Sequence, residues 1–272
     1  MSTANQALYQ TTIRRGQMAV LKIFVKEAKY EFLKAIRLPV FAVSTILLPA
    51  MFYILFGLVM GGGKQAPGQF PFATFLIASY GTFGVMGAAL FGFGVGMTIE
   101  RGQGWLELKR ASPMPPYAYF AAKVTTSMIF SAIISLVLLA LGTAFGGVHL
   151  HVLQMVKMVG TLMLGAIPFC ALGLAIGYFA KPNSAPAMVN VIYLPLSFCS
   201  GLWVPIQFLP KGLQHLATFL PPYHLSQLVL QVVGLANGGS EWWHIRALLG
   251  ATLLFLGLAR IGYQRDQGKL YG

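Results

Sequence analysis

Acidic residues are nearly absent from this chain, six among 272 residues against nineteen Lys and Arg. Charged types make up only 9% of the sequence and apolar types 57%, whereas soluble domains carry roughly 25% charged residues. A soluble protein of this size cannot hide so much apolar surface, so the bilayer must be its solvent. Cysteine is almost missing too. Cys170 and Cys199 both fall in apolar runs, which excludes a disulfide framework or a cysteine metal motif and leaves small core residues. The first 37 residues are mixed and basic, without the short apolar core of a secretory leader. The first span is therefore expected to serve as the insertion signal.

Signatures of catalysis are missing as well. Gly61-Gly62-Gly63-Lys64 is followed by Gln65, so it is not a phosphate-binding loop. Gly92-Phe93-Gly94-Val95-Gly96 lacks the third glycine of a dinucleotide fingerprint and lies inside an apolar run. No HExxH occurs, and His149 with His151 make two ligands without a nearby carboxylate. His215, His224 and His244 read as interfacial polar residues. No catalytic, cofactor-binding or metal-binding residue is expected. None of the acidic residues falls inside a predicted span, whereas ion- or proton-coupled carriers generally need an ionisable group at membrane depth.

What is present is a series of apolar runs long enough to cross roughly 30 Å of hydrocarbon. They cover Leu38–Met60, Phe72–Thr98, Val124–Val148, Met158–Phe179 and Ala185–Trp203. A sixth, Trp243–Ile261, carries Arg246 and Arg260 near its ends, where both can snorkel. Of the nineteen basic residues, fifteen fall on one side of these spans, and only Lys64, Lys157, Lys211 and Arg246 on the other. The positive-inside rule then places both termini, and the loop after the second span, in the cytoplasm of a plasma or inner membrane. The net charge of +13 is carried at span ends without interleaved aromatics, so lipid headgroups rather than nucleic acid are the expected anionic partner.

This reading divides the chain into a cytoplasmic segment 1–37, a six-span domain 38–263 and a cytoplasmic tail 264–272. In the first segment Leu21, Phe24, Ala28, Phe32 and Ala35 recur at helical spacing, with Lys22, Lys26 and Lys29 on another face. That pattern suits an amphipathic helix along the cytoplasmic leaflet, or a short elbow packed on the bundle. Gly84, Ala88, Gly92 and Gly96, then Gly142/Gly146 and Gly173/Gly177, place small residues four apart, as close helix packing in lipid requires. Trp203, Trp242 and Trp243 are expected as an outer aromatic belt.

Two segments stand apart from the spans. Ile99–Tyr117 holds two of the six acidic residues, Glu100 and Glu107, with Arg101, Lys109 and Arg110, and ends in Pro115-Pro116. It reads as a docking surface or as a solvated connector. Val204–Tyr223 contains Pro205, Pro210, Pro221 and Pro222 around a stripe of Leu213, Leu216, Ala217 and Leu220. Too short to cross the bilayer, it reads as a re-entrant or interfacial hairpin.

Together these segments resemble the ABC-2 family of ABC transporter permeases. That family carries E-x(n)-G-T-L-E-x-L-x(n)-S-P after its second span, met here by Glu100, Gly104-Trp105-Leu106-Glu107-Leu108 and Ser112-Pro113, with Trp105 in place of Thr. Its second pattern is met by Ser200, Gly201, Pro205, Leu209, Pro210, Leu213, Leu216 and Pro221. The resemblance implies that the first loop, Arg101 included, is a coupling helix seated in a cleft of a separate ATPase. Glu107 would accept charge-assisted hydrogen bonds there, Leu106 and Leu108 would fill the cleft, and Lys109 would be a solvated neighbour. The second segment would be an outer gate hairpin.

The expectation is an all-α membrane protein with six spans, an N-terminal amphipathic helix, a coupling helix and an outer re-entrant hairpin between spans five and six. By resemblance it is the permease of an ATP-driven exporter, a dimer (a homodimer by expectation) working with two ATPase subunits that bind ATP and Mg. Its substrate would be a hydrophobic drug, a lipid or a glycan-linked molecule. A secondary carrier or channel is the alternative, and a membrane-embedded enzyme lacks any constellation to carry it.

Overall fold

The computed structural model describes residues 3–60, 71–112, 114–235 and 239–270. Lys64 with its glycine run, and Pro113, lie outside the described residues. Among the described residues there are helices and no strand, as expected where lipid leaves the backbone no partner but itself. In chain order they are α1 (Thr3–Arg37), α2 (Pro39–Val59), α3 (Phe72–Gly102), α4 (Trp105–Ala111), α5 (Pro116–Ala144) and α6 (Val152–Phe179). Then follow α7 (Ala185–Cys199), α8 (Lys211–Ala217), α9 (Pro221–Val232) and α10 (Glu241–Leu270).

Five of these, α2, α3, α5, α6 and α10, are long and apolar enough to cross a membrane. They match five of the six predicted spans. The predicted span Ala185–Trp203 differs: α7 holds only 15 residues. At 1.5 Å per residue it reaches about 22 Å, short of a bilayer core. Its end is set by Gly201, which turns the chain at φ +74°, and by Pro205 just beyond.

The core sits around α3. Residues 73–89 are buried throughout, because α2, α5, α6, α7 and α9 all pack against this one helix. Its glycines permit that crowding. Where α3 crosses α6, a Cβ on Gly94 would stand 3.2 Å from the Gly173 carbonyl oxygen, and one on Gly173 would stand 3.2 Å from that of Ala89. Gly94 itself lies in a π-helical turn, Leu90–Val95, that widens α3 at this crossing. Gly142 and Gly146 meet the Tyr53 ring hydroxyl instead, and Gly177 meets Met97. The small-residue spacing is thus used for packing within the chain.

α1 packs along α5 as an elbow on the bundle. The half-buried side carries Phe24, Ala28, Phe32 and Ala35 of the predicted stripe, but Leu21 points out. Trp203 is a second departure. It packs against Phe52 and Phe83, at ring separations of 5.3 and 5.9 Å, rather than joining a belt. Trp242 and Trp243 are exposed, as an interfacial position demands.

Candidate coupling site

α3 runs on past the predicted span end at Thr98 to Gly102, and that extension decides where the loop's charges point. Glu100, one turn from the helix end, faces the bundle and is only 4% exposed. Its carboxylate accepts hydrogen bonds from Tyr119 Oη at 2.6 Å and Lys123 Nζ at 3.0 Å, and from Lys34. Lys123 also reaches Glu31 Oε2 at 3.0 Å. Lys109, expected as a solvated neighbour, instead donates to Glu27 at 2.6 Å and Glu31 at 3.2 Å. Its ammonium lies 4.2 Å over the Tyr119 ring.

Three carboxylates (Glu27, Glu31, Glu100) and three ammonium groups (Lys34, Lys109, Lys123) thus form one network joining α1, α3, α4 and α5. Its formal charge is zero. That balance lets charges persist where an unpaired one would be costly to bury. At Lys109 burial works against the ammonium, but the hydrogen bond to Glu27 and the charges of Glu31, Glu100 and Glu27 outweigh it and raise the pKa.

Arg101 makes a second tie. Its guanidinium donates to the carbonyls of Tyr178 and Ala180, each at 2.6 Å, and to Asp266 at 3.2 Å. It thereby caps the open carbonyls at the end of α6 and holds the end of α10 beside them. Four of the six acidic residues are therefore spent on ties at this end of the bundle.

α4 hangs from this platform. Gly104 turns the chain at φ +77° and stands at its N-cap, and Glu107 in its first turn suits the positive end of the helix dipole. At its other end Ser112 Oγ donates to the Lys109 carbonyl at 2.7 Å, and Pro115 and Pro116 start α5. Trp105 is 53% and Leu108 64% exposed, and Glu107 is exposed between them. Leu106 does not join Leu108. It turns inward to a cavity of about 340 Å³, lined with Tyr119, Phe120, Leu174 and Tyr178.

Across the bundle, the second motif forms a compact turn. Ser200, Gly201, Pro205, Leu209 and Pro221 are buried, Leu213 is half-buried, and Pro210 and Leu216 are exposed. Pro210 and Pro221 sit at the starts of α8 and α9, and Gln214 donates to the Leu209 carbonyl at 2.8 Å. His224 and His244, expected as interfacial, are both buried, with Nδ1 atoms 2.8 Å apart. His224 Nε2 meets the Thr218 carbonyl at 2.9 Å, so the pair ties α9, α10 and the end of α8.

The sequence reading missed Glu27, Glu31, Lys34, Tyr119 and Lys123 as partners. One signal was available: Glu27, Glu31 and Lys34 follow one another at helical four- and three-residue steps.

Comparison with known proteins places the chain in a family. The chain is 27% identical over 241 residues, 88% of its length and 96% of the relative's, to the protein named "Putative transport permease YvfS" of Bacillus subtilis (strain 168). Residues 26–233 match a family described as ABC-2 type transporter, a stretch that takes in both motif segments and the α1 acids that hold α4. With the greater part of its length inside that match, the chain belongs to the ABC-2 type transporter family.

Proposed function

We propose that this chain is the membrane permease of an ATP-driven exporter, coupled through α4 to a separate ABC ATPase. Family membership supports a multi-pass membrane transport permease and implies such a partner. The observation that carries the coupling role is the outward face of α4. Trp105, Glu107 and Leu108 project from a single helix whose other side is clamped by Lys109 to α1. A force on that face is passed to α1, α3 and α5 through paired charges rather than lost in a loose loop. In this reading two permeases and two ATPases form the working unit, ATP and Mg stay on the partner, and the substrate is a hydrophobic drug or a lipid. The α4 end faces the cytoplasm of the cell membrane, α7 forms the remaining membrane element, and the turn from Ser200 through α8 to Pro221 forms the outer gate.

The alternative, a gradient-driven carrier, draws on the buried Glu31–Lys123–Glu100 set. Glu100 lies in the last turn of a 31-residue helix whose length of about 46 Å exceeds the hydrocarbon core, so the set sits at an interface rather than at mid-depth. Its balanced pairing also leaves no charge to exchange with an ion.

Co-purification with the ATPase and substrate-stimulated hydrolysis test the proposal. Trp105→Ala, Glu107→Ala and Leu108→Ala should each weaken docking or uncouple hydrolysis, because a charge-assisted bond alone is worth about 1.5–3 kcal/mol. Full coupling in all three would sink the proposal. Cysteines introduced at Ser112 and Lys211, in a chain lacking Cys170 and Cys199, should label from opposite sides. Labelling of Ser112→Cys from outside intact cells would reverse the orientation.

A further inference from the structure

A groove of about 850 Å³ opens between the first half of α6, α9 and the start of α10, at the end of the bundle away from α4. Its wall is apolar, with Leu164, Leu228, Leu248 and Leu249, but its mouth is not: Lys157, Glu241 and Gln231 line it too. Lys157 and Glu241 are exposed and, among the described residues, form no ion pair with each other or with another side chain. Gln231 Nε2 donates to the Gly239 carbonyl at 3.2 Å, which orients its buried Oε1 as an acceptor with no partner among the described residues. One cation and one anion thus share the rim of an apolar slot, with an unpartnered acceptor enclosed beside them.

The length of the slot fits one leaflet. From Lys157 to Pro168 on α6, and from Glu241 to Thr252 on α10, the lining extends eleven residues, about 16 Å of helix. Half of a roughly 30 Å hydrocarbon core is about the same depth. Its volume falls among those of ligand pockets, roughly 300–1,000 Å³.

We infer that this groove binds a zwitterionic phospholipid carrying a primary ammonium, with its phosphate on Lys157, its ammonium on Glu241, and its acyl chains against the leucine wall. A phosphatidylglycerol headgroup meets Lys157 but offers Glu241 only neutral hydroxyls, so that carboxylate gains no opposite charge. A phosphatidylcholine headgroup has no N–H to give to Glu241. The site is independent of whether α4 docks an ATPase.

The test is native mass spectrometry of the full-length, delipidated protein titrated with dioleoyl phosphatidylethanolamine, phosphatidylglycerol or phosphatidylcholine. The ethanolamine lipid should bind its first site about tenfold or more tightly than either other lipid, the weight of one charge-assisted hydrogen bond. Glu241→Gln should erase the preference over the glycerol lipid, and Lys157→Ala should weaken all three. Gly160→Leu should block the groove, since a Cβ there meets nothing within 4 Å and the helix itself accepts the change. Equal first-site affinity for the ethanolamine and glycerol lipids overturns the headgroup assignment. Undiminished binding in both Gly160→Leu and Lys157→Ala, with unfolding temperatures at the wild-type value, overturns the site.

Discussion

Lys109 of α4 donates to Glu27 of α1 across 2.6 Å, joining residues 82 positions apart. The bond ties the N-terminal helix to α4, and the same lysine also reaches Glu31, which holds Lys123.

Lys109→Ala should therefore act at a distance from any docking face. It strands Glu27 and leaves Glu31 to Lys123 alone, both carboxylates being largely out of water, a loss of about 2–5 kcal/mol for truncating one buried partner. The unfolding temperature should fall and α4 should loosen, whereas Glu107→Ala should leave stability unchanged. Equal unfolding temperatures for Lys109→Ala and wild type would show that the tie carries no stability.

Glu100→Gln tests the buried centre. Removing the charge leaves Lys123 and Lys34 facing a neutral amide, and breaking a buried pair costs about 3–5 kcal/mol. Protein yield in the membrane and thermal stability should both drop. The double change Glu100→Gln with Lys123→Met should cost less than the two single changes summed, since they share one interaction. Simple additivity would show that the two residues act separately.

Gly104 adopts φ +77°, and a Cβ there meets nothing within 4 Å. Any effect of Gly104→Ala is thus a backbone effect of about 1–2 kcal/mol. Substrate-stimulated hydrolysis should fall in Gly104→Ala and be largely retained in Gly104→Asn, because asparagine tolerates left-handed backbone. Equal loss in both variants would mean that something other than backbone strain is at fault.

Acidification should loosen the other end of the bundle. Burial lowers the pKa of His224, only partly offset by its hydrogen bond to the Thr218 carbonyl. The unfolded chain then binds more protons than the folded one between the folded pKa and about 6.5, so stability is present above that window and lost as pH falls through it. One such group gives at most about 1.4 kcal/mol per pH unit. Unfolding temperatures between pH 7.5 and 5 should decline in wild type and less in His224→Gln. Identical profiles would remove His224 as the source.

The positions of five long helices follow from apolar run length alone, because a bilayer rewards about 20 apolar residues wherever they occur. The motif segments were equally legible, since a family pattern is a statement about residue types and spacing. The length of α7 was not. Its apolar run continues to Trp203, but the chain turns at Gly201 because the Ser200–Pro205 stretch folds back, and hydropathy carries no sign of direction.

Composition and run length by themselves determined that this is a helical membrane protein with a short charged segment after its second span, and the resemblance to a family pattern pointed to the ABC-2 type. Only the tertiary structure decided what those charges do. Glu100 and Lys109 looked like loop residues beside Glu107, because one-dimensional proximity cannot tell which side of a helix faces the bundle. Two helices, α1 and α5, brought Glu27, Glu31, Lys34, Tyr119 and Lys123 to them. Charges separated by tens of residues cancel only when packing sets them within about 3 Å, and that distance is a property of the fold rather than of the string.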